Sequence, residues 1–82
     1  MTCTILLHDA MRAKAGKERI VLTFEGAQSI DEVIKRMAIR FPDLREFKRN
    51  LRFQLNGTPV GGDQIVRQDD EIALSPLDTS AP

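Results

Sequence analysis

The side chains that could perform chemistry are few in this sequence of 82 residues, and they lie far apart along it. Asp69, Asp70 and Glu71 form the densest group, and paired carboxylates can act as general acid and base. Consecutive acids are, however, more typical of a solvated turn. Cys3 and His8 are the single cysteine and the single histidine. These residues give weak support for a stand-alone enzyme.

Cysteine and histidine usage also bears on metal and cofactor chemistry. One cysteine excludes an intrachain disulfide and a cysteine-rich zinc site. One histidine excludes most histidine-based metal sites and argues against a hydrolytic triad. The sequence contains neither a Walker phosphate-binding loop nor a dinucleotide-binding fingerprint. We therefore expect no cofactor.

Length and charge indicate one small domain with no extended polyanion as its main partner. A second core would require roughly another 50–100 residues. Twelve basic and twelve acidic side chains cancel, and the pI is about 6.6, which argues against nucleic acid and anionic membranes. There is no apolar run of membrane-spanning length and no signal-peptide pattern. A cytoplasmic protein is expected.

The first half of the chain predicts two strands in a hairpin. Thr2–His8 is rich in apolar and β-branched residues, and its period of two places Cys3 on the core face and His8 on the opposite face. Glu18–Phe24 alternates in the same way. Between them, Asp9–Lys17 predicts a wide loop that could contain a helical turn.

One long helix follows this hairpin. Ser29 is a favourable N-cap, and Glu32 three residues later completes a capping box. Apolar residues then recur with the spacing of one buried helical stripe: Ile30, Val33, Ile34, Met37, Ala38 and Phe41. Pro42 ends the helix. Asp43–Asn50 is predicted to be a charged connector.

The second half predicts three more strands. Leu51–Leu55 alternates, Asn56-Gly57 is a strong hairpin signal, and Thr58–Val60 returns as a short strand. Glu71–Ser75 is the last strand, and Pro76 ends it. This order predicts an α+β, β-grasp (ubiquitin-like) fold, with a mixed sheet of four to five strands and one main helix packed on one face. The last strand must then lie beside the first. Residues 1–76 would form the single domain, and residues 77–82 a flexible C-terminal tail.

Four segments resemble the MoaD/ThiS family of ubiquitin-like sulfur-carrier proteins. Ala10–Gly16 resembles the loop that follows the family's first strand, and Phe41–Leu44 resembles the segment that ends its helix. Leu55–Val60 is similar to its asparagine–glycine hairpin, and Asp70–Pro76 is similar to its run into the last strand. The order and spacing of these segments carry the resemblance.

This resemblance implies a carrier that is a co-substrate rather than an enzyme. Such carriers end in Gly-Gly, whose carboxylate is adenylated by an activating enzyme before sulfur replaces one oxygen. The sulfur then passes to a pterin, a thiazole or a similar acceptor, as in molybdopterin biosynthesis. In related modifiers the carboxylate is joined to a lysine. Here Ser80 and Ala81 stand at the glycine positions and Pro82 lies one beyond. The alternative function is therefore a non-covalent adaptor or regulatory subunit that lacks this chemistry.

The expected partner is a protein, either an adenylating enzyme or a large synthase subunit, and the chain would be a monomer or a subunit of a hetero-oligomer. The predicted contacts lie on the sheet face away from the helix and at the tail: Leu6, His8, Arg52, Gln54, Ala73 and Leu77. Charge is uneven, because residues 35–52 carry a net +5 and residues 53–82 a net −4. In sequence the acidic part adjoins the tail, which favours docking of an activating enzyme there.

Overall fold

The computed structural model describes residues 1–47 and 51–76. In chain order its elements are β1 (Thr2–Leu7), α1 (Asp9–Ala15), β2 (Arg19–Thr23), β3 (Gln28–Ser29), α2 (Ile30–Arg40), a 3₁₀ helix (Pro42–Phe47), β4 (Leu51–Leu55), β5 (Thr58–Pro59), β6 (Ile65–Val66) and β7 (Glu71–Pro76).

The last strand lies at the centre of a five-stranded sheet whose order is β2-β1-β7-β4-β5. β7 runs parallel to β1 and antiparallel to β4. β1 pairs antiparallel with β2, and β4 pairs antiparallel with β5. The prediction of a mixed sheet with its last strand beside its first is confirmed.

The alternation in β1 buries one side of the strand completely. Cys3, Ile5 and Leu7 are buried, whereas Thr4 and Leu6 are only half-buried. The same alternation in β2 and β7 supplies Ile20, Leu22, Ile72 and Leu74, which join the first three in one core.

Helix α2 covers this core with the stripe that the sequence predicts. Ser29 Oγ accepts a hydrogen bond from the Glu32 backbone N–H at 3.2 Å, so the predicted N-cap is confirmed. Ile30, Val33, Ile34, Met37 and Ala38 are buried against the sheet. Phe41 caps the helix and is half-buried, and the 3₁₀ helix begins at the next residue, Pro42.

The segment predicted to be a wide loop forms the short helix α1. Its Met11 is fully buried, and Gly16 ends it in the left-handed conformation (φ 72°), with its N–H donating to the Arg12 carbonyl at 3.0 Å. Seven residues are too few to show a helical period in the sequence. The burial of one side chain, rather than a pattern, therefore stabilises this helix.

The structure also contains a second, two-stranded ladder that the sequence does not predict. β3 pairs antiparallel with β6, matching Gln28 with Val66 and Ser29 with Ile65. Strands of two residues carry no readable alternation. The predicted charged connector is a 3₁₀ helix over its first part, because Leu44 turns inward and is buried.

Gly62 allows the start of α2 to lie directly against the turn that follows β5. The Asp31 N–H donates to the Gly62 carbonyl at 2.9 Å. A Cβ at residue 62 would lie 2.6 Å from Asp31 Cγ, so any larger residue would displace the Asp31 carboxylate. At Gly26, by contrast, a Cβ would meet nothing within 4 Å.

Within residues 1–47 and 51–76, no helix has the length and apolar character needed to span a membrane.

Relative to Gly26→Ala, we expect Gly62→Ala to lower the free energy of unfolding by about 0.5 kcal/mol, because the new Cβ must push aside the exposed Asp31 carboxylate. Urea denaturation measures both variants, and Gly26→Ala is the matched control because it makes the same change in the unfolded chain without a clash. In an Asp31→Ala background the difference between the two variants should vanish. An equal cost in both backgrounds would contradict the assignment of the clash to the Asp31 side chain.

Candidate functional site

The sheet face away from α2 is mostly polar, with the apolar Leu6, Val21 and Ala73 among its residues, and it is organised in rows across the strands. Leu6 lies between Arg19 of β2 and Ala73 of β7, and Gln54 of β4 lies on the other side of Ala73. One row away, Ser75 is paired with Arg52. The register therefore places four of the six predicted contact residues, Leu6, Arg52, Gln54 and Ala73, on two adjacent rows of the outer face.

A shallow pocket of about 370 Å³ lies on this face. It is lined by His8, Asp9, Arg52, Gln54, Ala73 and Ser75. Four of the six predicted contact residues (His8, Arg52, Gln54 and Ala73) thus surround one pocket. Leu6 lies in the adjoining row, and Leu77 lies outside the described residues, as do the predicted tail positions Ser80, Ala81 and Pro82. A role in partner binding stays a prediction for all of these residues.

The junction between β1 and α1 shapes one wall of the pocket. His8 has an extended backbone, and its N–H donates to the Leu74 carbonyl of β7 at 3.2 Å. Asp9 then adopts φ 55°, a left-handed conformation that costs free energy for any residue with a side chain. This sharp turn brings the Asp9 carboxylate into the pocket lining. Asp9 is not among the contact residues predicted from the sequence, because its segment is predicted to be a loop.

The pocket offers both hydrogen-bond donors and acceptors. Arg52 contributes a guanidinium, Gln54 an amide and Ser75 a hydroxyl, and Asp9 contributes one carboxylate acceptor. Within the described part of the chain, none of these side chains hydrogen-bonds to another residue or forms an ion pair. The pocket is therefore suited to polar groups of a protein partner. No three histidine, cysteine or carboxylate side chains in the described ranges are grouped as metal ligands.

The two ends of the sheet are called the Pro76 end and the Met1 end. At the Pro76 end, β1 ends at Leu7, β4 begins at Leu51 and β7 ends at Pro76. At the Met1 end, β1 begins at Thr2, β4 ends at Leu55 and β7 begins at Glu71. The length of β7 separates the ends by roughly 17 Å, at about 3.3 Å per residue. The pocket lies toward the Pro76 end, from which residue 77 continues.

The expectation that acidic residues adjoin the tail is wrong in space. Asp69, Asp70 and Glu71 precede or begin β7, so they lie at the Met1 end, a full strand away from Pro76. The prediction failed because β7 is a nearly fully extended strand of six residues, so residues that are close in sequence lie at opposite ends of the sheet. The end from which the tail continues instead carries bases, including Arg19, Arg45 and Arg52.

The Asp70 carboxylate holds the turn that leads into β7. One Asp70 oxygen accepts from the Arg67 N–H at 2.8 Å, and the other accepts from Asn56 Nδ2 at 3.0 Å. Asn56 Oδ1 in turn accepts from the Glu71 N–H at 2.9 Å. This network ties the Asn56-Gly57 hairpin to the start of β7. The interpretation of these acids as a turn is confirmed for Asp69 and Asp70, whereas Glu71 begins β7.

Cys3 belongs to the core rather than to the outer face. Its side chain is fully buried, and burial, aided by the negative charge of Asp70, raises the pKa of the Cys3 thiol. Both effects suppress the reactive thiolate. The predicted packing role of Cys3 is confirmed.

The fold and the outer face together define a β-grasp protein of the ubiquitin-like class. A search of curated protein sequences found no match. The sequence model of the ThiS family, however, matches residues 5–76, and the chain belongs to the ThiS family. It is thus of the same general kind as the ubiquitin-like carriers and modifiers.

Solved structures that resemble the chain are similar in fold rather than in sequence. SAMP1 from Haloferax volcanii has a TM-score of 0.84 at 17% identity, with coverage of 96% of this chain and 98% of SAMP1. A protein assigned as subunit 1 of a molybdopterin converting factor from Pyrococcus furiosus has a TM-score of 0.81 at 16% identity, with coverage of 94% and 98%. A complex of subunits 1 and 2 of that factor from Helicobacter pylori contains a chain with a TM-score of 0.68 at 14% identity, with coverage of 93% of each chain.

Because Cys3 is buried and its pKa is raised, we expect its thiol to resist alkylation at neutral pH until the domain unfolds. Iodoacetamide labelling followed by mass spectrometry measures the rate. Labelling should accelerate steeply across the urea transition, in step with loss of circular dichroism. Rapid labelling of the folded protein would contradict the burial of Cys3.

Proposed function

We propose that this protein is a ubiquitin-like sulfur carrier or modifier that acts through its C-terminal tail as a co-substrate of an adenylating partner enzyme. The observation that carries the proposal is the ThiS family match over residues 5–76, which ends where β7 ends. β7 is held on both sides, by β1 and by β4. Residues 77–82 therefore start from a fixed point on a rigid domain, as a presented substrate segment requires.

The chemistry that the family resemblance implies needs only a carboxylate from this chain. The carboxylate attacks the α-phosphorus of ATP, an acyl-adenylate forms and pyrophosphate leaves. A sulfur donor of the partner system then displaces AMP and leaves a thiocarboxylate. In a modifier, the amine of a lysine displaces AMP instead and an amide forms. No group of the domain itself is consumed in either case.

A protein partner is part of this proposal. The Helicobacter pylori chain of similar fold is found in a complex with a second subunit of its converting factor. In the present chain the polar pocket lies on the outer face near Pro76. We propose that a partner covers this face while it receives the tail.

The test is incubation of the intact protein with the adenylating enzyme of the same organism, ATP and a sulfur donor, followed by mass spectrometry of the whole protein. A thiocarboxylate adds the mass difference between sulfur and oxygen, and an adenylate adds AMP less water. We expect one of these products. Their absence, with an enzyme that adenylates its other substrates, would overturn the carrier proposal.

A matched variant tests the role of the tail positions. We expect Ser80→Gly combined with Ala81→Gly and removal of Pro82 to react faster than the unaltered chain. Glycine has no Cβ and adopts the extended conformations of a narrow channel, whereas proline restricts itself and the residue before it. A slower reaction would contradict the assignment of Ser80, Ala81 and Pro82 to the carrier positions.

The second candidate, a non-covalent adaptor, is favoured by the pocket, since every residue that lines it precedes residue 77. Deletion of residues 78–82 separates the two functions. An adaptor should keep its partner with unchanged affinity in a pull-down titrated with purified partner. A carrier should lose every covalent product while its folded domain stays intact by circular dichroism.

We expect Ala73→Arg to weaken partner binding by about tenfold or more, because it introduces a long side chain at the centre of the outer face. Isothermal titration calorimetry with the adenylating enzyme measures the change. Ala27→Arg is the matched control, since it makes the same substitution at an exposed position between β2 and β3, and Ala27 is not among the residues that line the pocket. Equal loss in both variants would contradict docking on the outer face.

A further inference from the structure

The charges of the domain are segregated along the strand direction. The Pro76 end carries seven bases against four acids: Arg12, Lys14, Lys17, Arg19, Arg40, Arg45 and Arg52 against Asp9, Glu18, Asp43 and Glu46. The Met1 end carries seven acids against two arginines and the amino terminus. The acids are Glu25, Asp31, Glu32, Asp63, Asp69, Asp70 and Glu71; the positive groups are Arg67, Arg36, whose guanidinium lies 4.9 Å from the centre of the Phe24 ring, and the Met1 amine. A formal net charge of zero therefore conceals a strong dipole.

Contacts within the domain use some of the bases at the Pro76 end and leave others available. Lys14 pairs with Glu46 at 2.9 Å, and Arg12 pairs with Glu18 at 3.8 Å. Lys17 and Arg40 lie over the Phe41 ring, at 4.9 and 5.9 Å from its centre.

Three arginines at this end remain for a partner. Arg19, Arg45 and Arg52 are exposed, and none of them forms an ion pair with another residue of the described ranges.

We infer that the Pro76 end docks on an acidic protein surface that surrounds the partner's entrance for residues 77–82. This inference rests on the proposed carrier function and adds the chemistry of the partner. Arg52 is paired with Ser75, the residue before Pro76. Arg19 begins β2, two strands away from β7, and Arg45 lies in the 3₁₀ helix on the α2 side of the domain. Carboxylates at the rim of the entrance would attract this end during approach and repel the Met1 end, so the domain arrives with its tail forward.

The charge distribution favours an acidic protein over a nucleic acid. A long polyanion approaches both ends of so small a domain, and the seven acids of the Met1 end would repel it. Nucleic-acid-binding domains usually carry a strong net positive charge and a continuous basic stripe. Here the net charge is zero, and four acids interrupt the basic end. A folded protein surface can present its negative charge to one end only.

The experiment measures association with the adenylating enzyme of the same organism by stopped-flow fluorescence at several salt concentrations. The variants are Arg45→Glu and Arg52→Glu at the Pro76 end. Arg67→Glu is the matched control, because it makes the same chemical change and the same change in net charge at the Met1 end. We expect each Pro76-end variant to slow association about tenfold at low salt and the control to alter it by less than about twofold, the difference fading as salt screens the charges.

The possible outcomes are distinct. If all three variants slow association equally, net charge governs it and the inference falls, although the carrier function stands. If the unaltered protein does not associate with the enzyme at all, the proposed function and the inference both fall. Fluorescence titration with a single-stranded oligonucleotide is the further control, and binding tighter than to the enzyme, lost in Arg45→Glu, would overturn the assignment to a protein surface.

Discussion

The parallel pairing of β1 with β7 is the interaction on which the rest of the structure depends. It joins the first and last strands of the described domain at the centre of the sheet. Its register places Ile5 beside Ile72 and Leu7 beside Leu74, so both strands present their buried residues to the same side. α2 packs against that side, and the outer face is left mostly to polar residues. A shift of register by one residue would turn one of these buried sets toward solvent.

Most of this architecture could be predicted from the periodicity of the apolar residues and from the residues that cap helices and form turns. The alternation in Thr2–His8, the Ser29 cap and the Asn56-Gly57 turn each report a local constraint that the sequence states directly. In the structure, Asn56 and Gly57 both have positive φ, as a tight hairpin turn of this kind requires. Elements without their own period could not be predicted. α1 depends on the burial of Met11, and the β3–β6 ladder depends on pairing between segments that are distant along the chain.

The candidate site was partly predictable for the same reason. Parity along β1, β4 and β7 assigns Leu6, Gln54 and Ala73 to the outer face without knowledge of the fold. The contribution of Asp9 follows from a turn that only the packed structure defines. The position of the acids relative to the tail was predicted wrongly, because residues 71–76 are adjacent to the tail in sequence but span the whole length of the sheet. Sequence separation is a poor measure of distance wherever a strand intervenes.

The central place of β7 also sets the order in which the chain can fold during synthesis. Until Glu71–Pro76 has left the ribosome, β1 and β4 each lack a neighbour, and the β1–β2 hairpin and the β4–β5 hairpin have no strand to join them. Two unpaired strand edges with apolar inner faces are prone to association with other chains. The last strand of the described domain is thus the one that closes the sheet. The nascent domain stays unprotected until this strand is available, and pairing over so long a stretch of chain is a slow step for a domain of this size.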